Sequence, residues 1–317
     1  MKKRIAFFLA LLAVCAPLAA CRTPGGEDGT FRIVATVFPI YDWVREIVGD
    51  TEGVEVTLLQ DDGADLHNYE PTSGDIVTVS ECDLFLCVGG ASDAWVDTVL
   101  SATGREIPTL RLLSVPGVGV KAEEIKEGME ADGDPSAEPD EHVWLSLRNA
   151  EVLCSAIADA LGEADPAHAS AYAENCAAYL EALGALDARY AAAAEAAAFD
   201  TLLFADRFPF RYLADDYGLD YFAAFTGCNA ETAASFETVI FLSKKLDALA
   251  LPCVLTTEEA DGSLVTAVTE NTTAGTLPVL VMDSMQSVTG ADVDAGVTYL
   301  SVMEQNLAVL REALGAK

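Results

Sequence analysis

The sequence predicts an α/β protein of two lobes, each a parallel sheet flanked by helices, joined by one long backbone helix. Three observations predict it. Short apolar runs alternate with helix-period segments in both halves of the chain, the pattern of parallel strands connected by helical crossovers. Between the halves, Pro166 to Ala198 is alanine-rich, with Gly184 its one glycine and no further proline. A chain of 317 residues, 51% of them hydrophobic, is also long enough to bury two domain cores.

The elements follow in order. Residues 1–20 form a secretory signal: Lys2, Lys3 and Arg4 are basic, Ile5 to Ala20 is apolar, and Leu18-Ala19-Ala20 ends on small residues before Cys21. The run is shorter than the roughly 20 residues of a membrane-spanning helix and is interrupted by Pro17. Leu-Ala-Ala-Cys resembles a bacterial lipobox, which makes Cys21 the expected site of lipidation; the alternative is an ordinary cleaved signal with a cysteine nearby. Lipidation tethers a protein to a membrane face without spanning it. Residues 21–30, with Pro24, Gly25, Gly26 and Gly29, form a flexible leash.

The N-terminal lobe is expected over residues 31–164. Phe31–Phe38, Val54–Leu59 and Leu84–Val88 are short apolar, β-branched runs that suit buried strands. Helices are expected from Tyr41 to the stop at Gly49, over Thr72–Val79 and over Ala94–Ser101. Lys121–Glu141 breaks the alternation with nine acidic residues against Lys121 and Lys126, and with glycines and prolines. It has the composition of an exposed loop, either merely solvated or a weak collector of cations. The connecting helix over 165–198 starts at Asp165-Pro166; about 30 residues span ~45 Å, longer than one small lobe. In the C-terminal lobe, 199–317, strands are expected at Thr201–Ala205, Val254–Thr257 and Pro278–Met282. Helices are expected at Phe208–Tyr217, Glu231–Leu249, Ser263–Glu270 and Val297–Leu314.

The formal charge of −33 excludes a nucleic-acid partner, which needs basic surfaces to neutralise phosphates. It is compatible with a cationic ligand and equally with acidic residues kept for solubility. Cys82, Cys87, Cys154, Cys176, Cys228 and Cys253 form no close CxxC pair, and most sit in apolar surroundings as small core residues. The absence of His-Glu-x-x-His and Gly-x-Ser-x-Gly motifs argues against an enzyme of the common hydrolase types. A secreted metallohydrolase and a surface adhesion module are the alternatives from other classes.

The chain has three histidines. His67 follows the Val54–Leu59 strand, in the kind of loop where open α/β sheets bind ligands. His142 stands where the acidic segment re-enters the fold. His168 lies on the long helix between Ala167 and Ala169 and is expected to be structural.

From Ile33 to the C-terminus the sequence resembles the solute-binding proteins of zinc- and manganese-importing ABC transporters, the ZnuA/TroA-like family. The resemblance rests on Ala35-Thr36-Val37-Phe38-Pro39, Gly63-Ala64-Asp65-Leu66-His67-Asn68-Tyr69-Glu70-Pro71-Thr72, Cys82-Asp83-Leu84-Phe85-Leu86-Cys87-Val88-Gly89, His142-Val143-Trp144-Leu145 and Tyr217-Gly218-Leu219, in that order. It implies a monomeric, lipid-anchored extracytoplasmic protein that holds one divalent metal ion between its lobes and delivers it to an import permease. It implies His67 and His142 as ligands, with Asp283 as a further one from the late strand near the C-terminus. Imidazole and carboxylate donors suit Zn²⁺, which is favoured, and also Mn²⁺ or Fe²⁺. At the remaining ligand position, counted back from Tyr217, the sequence departs from the family with Arg207, whose guanidinium has no lone pair to donate. Asp206, water or another carboxylate such as Glu258 is then expected to complete the shell. Ser146 and Leu147, where many relatives carry Asp-Pro, are expected to affect packing rather than coordination. The long helix is expected to restrict hinge motion, leaving release to smaller lobe or loop shifts.

Overall fold

β1 (Phe31–Ala35) is apolar on both faces because it becomes a central strand, and its run ends where Pro39 enters the first turn of α1 (Phe38–Val48). In this computed structural model, which describes residues 29–130, 138–228 and 233–316, α1 is followed by β2 (Val54–Leu58), α2 (Ser73–Glu81), β3 (Leu84–Cys87), α3 (Val96–Ala102) and β4 (Thr109–Arg111). The four strands are parallel, in the order β2-β1-β3-β4. The signal segment, Cys21 and most of the leash lie outside the described residues, as does Glu231, the expected start of a helix.

The chain then forms α4 (Leu147–Ala164), the long α5 (Ala169–Glu195), β5 (Thr201–Phe208), α6 (Arg211–Tyr217), β6 (Asp220–Thr226), α7 (Phe236–Leu249), β7 (Val254–Thr256), α8 (Ser263–Glu270), β8 (Val279–Val281), α9 (Gly290–Asp294) and α10 (Tyr299–Ala313). The second sheet is again parallel, in the order β6-β5-β7-β8. Each sheet therefore reverses strand order beside its first strand, and the crevice beyond the carboxyl ends at such a point is where open α/β sheets bind ligands. β4, α4, β6 and the short α9 are elements that the sequence reading did not anticipate.

α5, 27 residues long and about 40 Å by its rise, is more than a strut. Its buried stripe, Tyr172, Cys176, Tyr179, Leu183, Leu186, Tyr190 and Ala193, recurs every three or four residues as a helix face must. That stripe belongs to one continuous apolar core running from Phe31 to Leu314 through both lobes. Smaller clusters lie within each lobe. His168 precedes α5, and its Nδ1 pairs with Asp165 Oδ2 at 2.6 Å. Ser146 caps α4 by accepting from Asn149 N–H, so this departure from the family pattern serves local structure.

The described part of the acidic segment is only in part the exposed loop its composition suggests. Glu123, Asp140 and Glu141 are buried, and Asp140 N–H donates to Lys121 O at 2.8 Å. Glu130 N–H donates to Ala224 O at 2.8 Å, extending the edge of β6. Lys126 pairs with Asp220 and lies 3.9 Å above the Tyr221 ring. The described part of the segment thus straps the first lobe onto the second; residues 131–137 lie outside it. Composition misled here because nearby lysines, hydroxyls and backbone N–H groups absorb charges that would otherwise need water.

Buried carboxyls give the fold a pH signature. Asp42 accepts Tyr299 N–H at 2.8 Å in the first turn of α10, yet burial pushes its pKa up to about 6. Burial likewise pushes Asp93 up to about 6. Both groups take up protons in the folded state at a pH where the unfolded chain has released them, so their contribution to stability falls as pH rises between roughly 4 and 6. Calorimetry in chelator should find the unfolding midpoint of the wild type, measured relative to Asp42→Asn, higher at the lower end of that window than above it.

Candidate metal centre

His67 sits on a single 3-10 turn, Leu66–Asn68, beyond the carboxyl end of β2. The turn is fixed by Asp65, whose Oδ1 accepts His67 N–H at 2.9 Å, and by Leu66, which is buried. The His67 ring is held from behind: Nδ1 lies 2.8 Å from Ser92 Oγ, on the turn after β3. Ser92 N–H in turn donates to Glu141 Oε1 at 2.9 Å. The other oxygen, Glu141 Oε2, has no hydrogen-bond partner and stands 3.7 Å from His67 Nδ1. Gly90 leaves room for this carboxylate, since a Cβ there would lie 2.0 Å from Glu141 Oε1.

His142 is fully buried. Its Nδ1 is 2.8 Å from Asp140 Oδ1, which also accepts its backbone N–H at 2.9 Å. The Trp144 ring packs against it with centroids 5.3 Å apart. Gly227, after β6, closes over the ring, and a Cβ at that position would stand 3.1 Å from His142 Cε1.

With both Nδ1 atoms occupied by oxygen partners, both Nε2 atoms face one another at 3.3 Å. The Asp140 carboxylate on Nδ1–H of His142 fixes the tautomer that leaves its Nε2 lone pair for a metal, while the Ser92 hydroxyl at His67 can accept from Nδ1–H or donate to Nδ1. Two nitrogens on a tetrahedral zinc, bonded at ~2.0–2.1 Å, lie about 3.3–3.4 Å apart. The observed separation fits that edge. Without a metal the pair can share a proton, and the surroundings decide its place. Burial disfavours charge on both rings, but the Asp140, Glu123 and Glu141 carboxylates outweigh it at His142, whose pKa is raised. At His67, burial and the neighbouring His142 push the pKa down to about 3. Of the two rings, His142 is the one whose surroundings favour that proton.

The expected carboxylates are placed differently. Among the described residues, two groups of three or more candidate ligands have their donor atoms within 4.8 Å of one another: His67, His142 and Cys228, and Glu123, Asp140, His142 and Cys228. Asp206, Glu258 and Asp283 belong to neither. Both Asp206 oxygens are engaged, Oδ1 by Arg207 N–H and Oδ2 by Thr257 N–H and Oγ. Nor does Asp206 pair with a guanidinium; Arg207 reaches Asp65 Oδ2 at 2.5 Å and Glu259 Oε2 at 2.7 Å instead. Glu258 accepts from Ser284 N–H and Oγ, and burial beside Asp283 pushes its pKa to about 7. Asp283 Oδ1 accepts Met285 N–H at 2.7 Å.

Sequence reasoning did not single out Ser92, Glu123, Asp140, Glu141 or Cys228 as site residues. The adjacency Asp140-Glu141-His142 was a usable signal for the partner of an imidazole; nothing local marks Ser92. Asp140→Asn is expected to weaken metal binding roughly 10- to 100-fold, the usual effect of losing the carboxylate behind a ligating histidine. Titration against a competing chelator, with unchanged circular dichroism, checks it.

Residues 33–313 match the ZnuA family, described as zinc-uptake complex component A, periplasmic. The chain is 30% identical over 317 residues to the zinc-binding lipoprotein AdcA of Streptococcus pneumoniae, covering 98% of this chain and 61% of that protein. It thus spans about three fifths of the length of the curated relatives it matches first. A second relative, the iron-binding protein YfeA of Yersinia pestis, is 32% identical over 215 residues, 68% of this chain and 65% of YfeA. Among solved structures, the Zn(II)-bound ZnuA-like domain of S. pneumoniae AdcA aligns with a TM-score of 0.73 and 26% identity, over 90% of this chain and 99% of that domain.

Proposed function

Because this chain belongs to the ZnuA family, we propose that it captures Zn²⁺ outside the cytoplasm, ligating it with His67 and His142, and delivers it to an ABC import permease. Cys21, once lipidated, holds the protein at the membrane face in this reading, and the protein acts as a monomer. The observation that carries the proposal is the approach of the two Nε2 atoms to 3.3 Å while each Nδ1 is held by an oxygen. Only a proton or a metal ion resolves two imidazole lone pairs aimed at one point. The family is that of a transport component rather than an enzyme.

Asp206 serves in this reading as a brace for the β5–β7 junction. Asp283 and Glu258 order the Ser284 turn. Fe²⁺ is the competing cargo, favoured by the likeness to an iron-binding relative, and Mn²⁺ is the other ion the imidazoles tolerate. Competition titration of the metal-stripped protein distinguishes them. Zn²⁺ should displace Mn²⁺ and Fe²⁺ from a site that His142→Ala abolishes; preference for either rival would reassign the cargo.

A further inference from the structure

We propose that Cys228 is a metal ligand contributed by the second lobe, its thiolate replacing the donor that Arg207 cannot supply and making the centre selective for zinc over manganese. This rests on the reading of His67 and His142 as metal ligands. The Cys228 sulfur lies in one group with the two ring nitrogens, all within 4.8 Å, and in a second group with His142 and two carboxylates. No other cysteine among the described residues belongs to such a group. Cys82, Cys87, Cys154, Cys176 and Cys253 are buried, whereas Cys228 is partly exposed.

Position in the fold explains why this residue reaches the site. β2 and β6 occupy the same place in the two sheets, each beside the first strand of its lobe. The loop after β2 delivers His67; the segment after β6 delivers Gly227 against the His142 ring and Cys228 beyond it. Glu123 Oε1 accepts Cys228 N–H at 3.1 Å, anchoring the cysteine to the strap from the first lobe. Meanwhile Arg207 is tied to Asp65 and Glu259, and Asp206 has both oxygens engaged. The second lobe therefore needs another donor, and the sulfur is the one beside the rings.

On binding M²⁺, the S–H bond breaks, an S–M bond forms and the proton passes to solvent. Thiolate is a soft donor that favours zinc over manganese, which prefers oxygen, and a Cys-His-His set is an ordinary zinc environment.

The test is a cobalt titration of the metal-stripped full chain, with Zn²⁺ and Mn²⁺ competition, for wild type, Cys228→Ser, Cys228→Asp and His67→Ala. The wild type should show a near-ultraviolet sulfur-to-cobalt charge-transfer band that both Cys228 variants lack. Cys228→Ser should lose roughly 100-fold in zinc affinity and little in manganese affinity. Cys228→Asp, with an oxygen donor, should recover binding with preference moved toward manganese, which also controls for folding. A wild type without the band, or a serine variant with wild-type zinc affinity, overturns the inference. Cobalt and zinc binding unaffected in His67→Ala would instead sink the underlying reading of the histidine pair.

Discussion

His67→Ala is expected to lower zinc affinity by roughly two orders of magnitude or more, while leaving the fold intact. A closed zinc site of four ligands contributes about 10–16 kcal/mol, so one ligand carries about 3 kcal/mol, or roughly a hundredfold. Overall structure should survive because His67 lies on a turn secured by Leu66 and Asp65 rather than in the apolar core. His168→Ala, by contrast, should leave metal binding unchanged, since that side chain sits beside Asp165 at the start of α5. The loss should also be pH-dependent in the wild type. His142 has a raised pKa and must surrender its Nε2 proton when the metal arrives, so affinity should fall on acidification, starting at a higher pH than for an ordinary imidazole. Zinc titration at several pH values, with proton release recorded, measures both effects.

Arg207→Met is expected to destabilise the fold by about 3–5 kcal/mol, the cost of stranding buried charges that had a partner. Arg207 and Asp65 are both nearly inaccessible, with side-chain exposures of 8% each. Asp65 belongs to the first lobe and Glu259 to the second, so one guanidinium fastens the His67 turn across the cleft. The β5 register shifts between Phe204 and Arg207, and such an irregularity re-aims a side chain at a strand end. Arg207→Met/Asp65→Asn should recover part of the lost stability, because it removes a stranded charge along with its partner. Chemical denaturation of the double-mutant cycle measures the coupling. A non-additive term near zero would show that the buried ion pair does not fasten the lobes.

Much of the fold was legible because most of its strands form short apolar runs between turn residues, and β3, β5 and β7 are buried on both faces. β1, β2, β3, β7, β8 and the helix Ser263–Glu270 stand where that pattern puts them. β4 escaped because three half-buried residues carry no periodic signal. β6 escaped because Asp-Tyr-Phe-Ala-Ala-Phe-Thr opens on an aspartate and holds two alanines, which contribute little to a strand pattern. α4 did carry a readable stripe, Leu147, Ala150, Leu153, Cys154, Ile157 and Leu161, and was overlooked beside the longer helix.

At the site, the two histidines were readable from rarity and from the motifs around them. The carboxylates were harder because composition does not say which acidic residues are engaged elsewhere. Asp206 is held by a hydroxyl and two backbone N–H groups, one of them from a distant strand end, and only the packing of β5 against β7 brings that partner in. Cys228 looked like one more core cysteine until the strand that precedes it was known.

The account stands on the two Nε2 atoms meeting at one ion. A crystal structure of the zinc-loaded protein, with anomalous scattering recorded across the zinc edge, tests it most directly. The expected result is a single strong peak within bonding distance of both His67 Nε2 and His142 Nε2. A peak bonded to neither ring, or bonded to one with the other swung away, would contradict it.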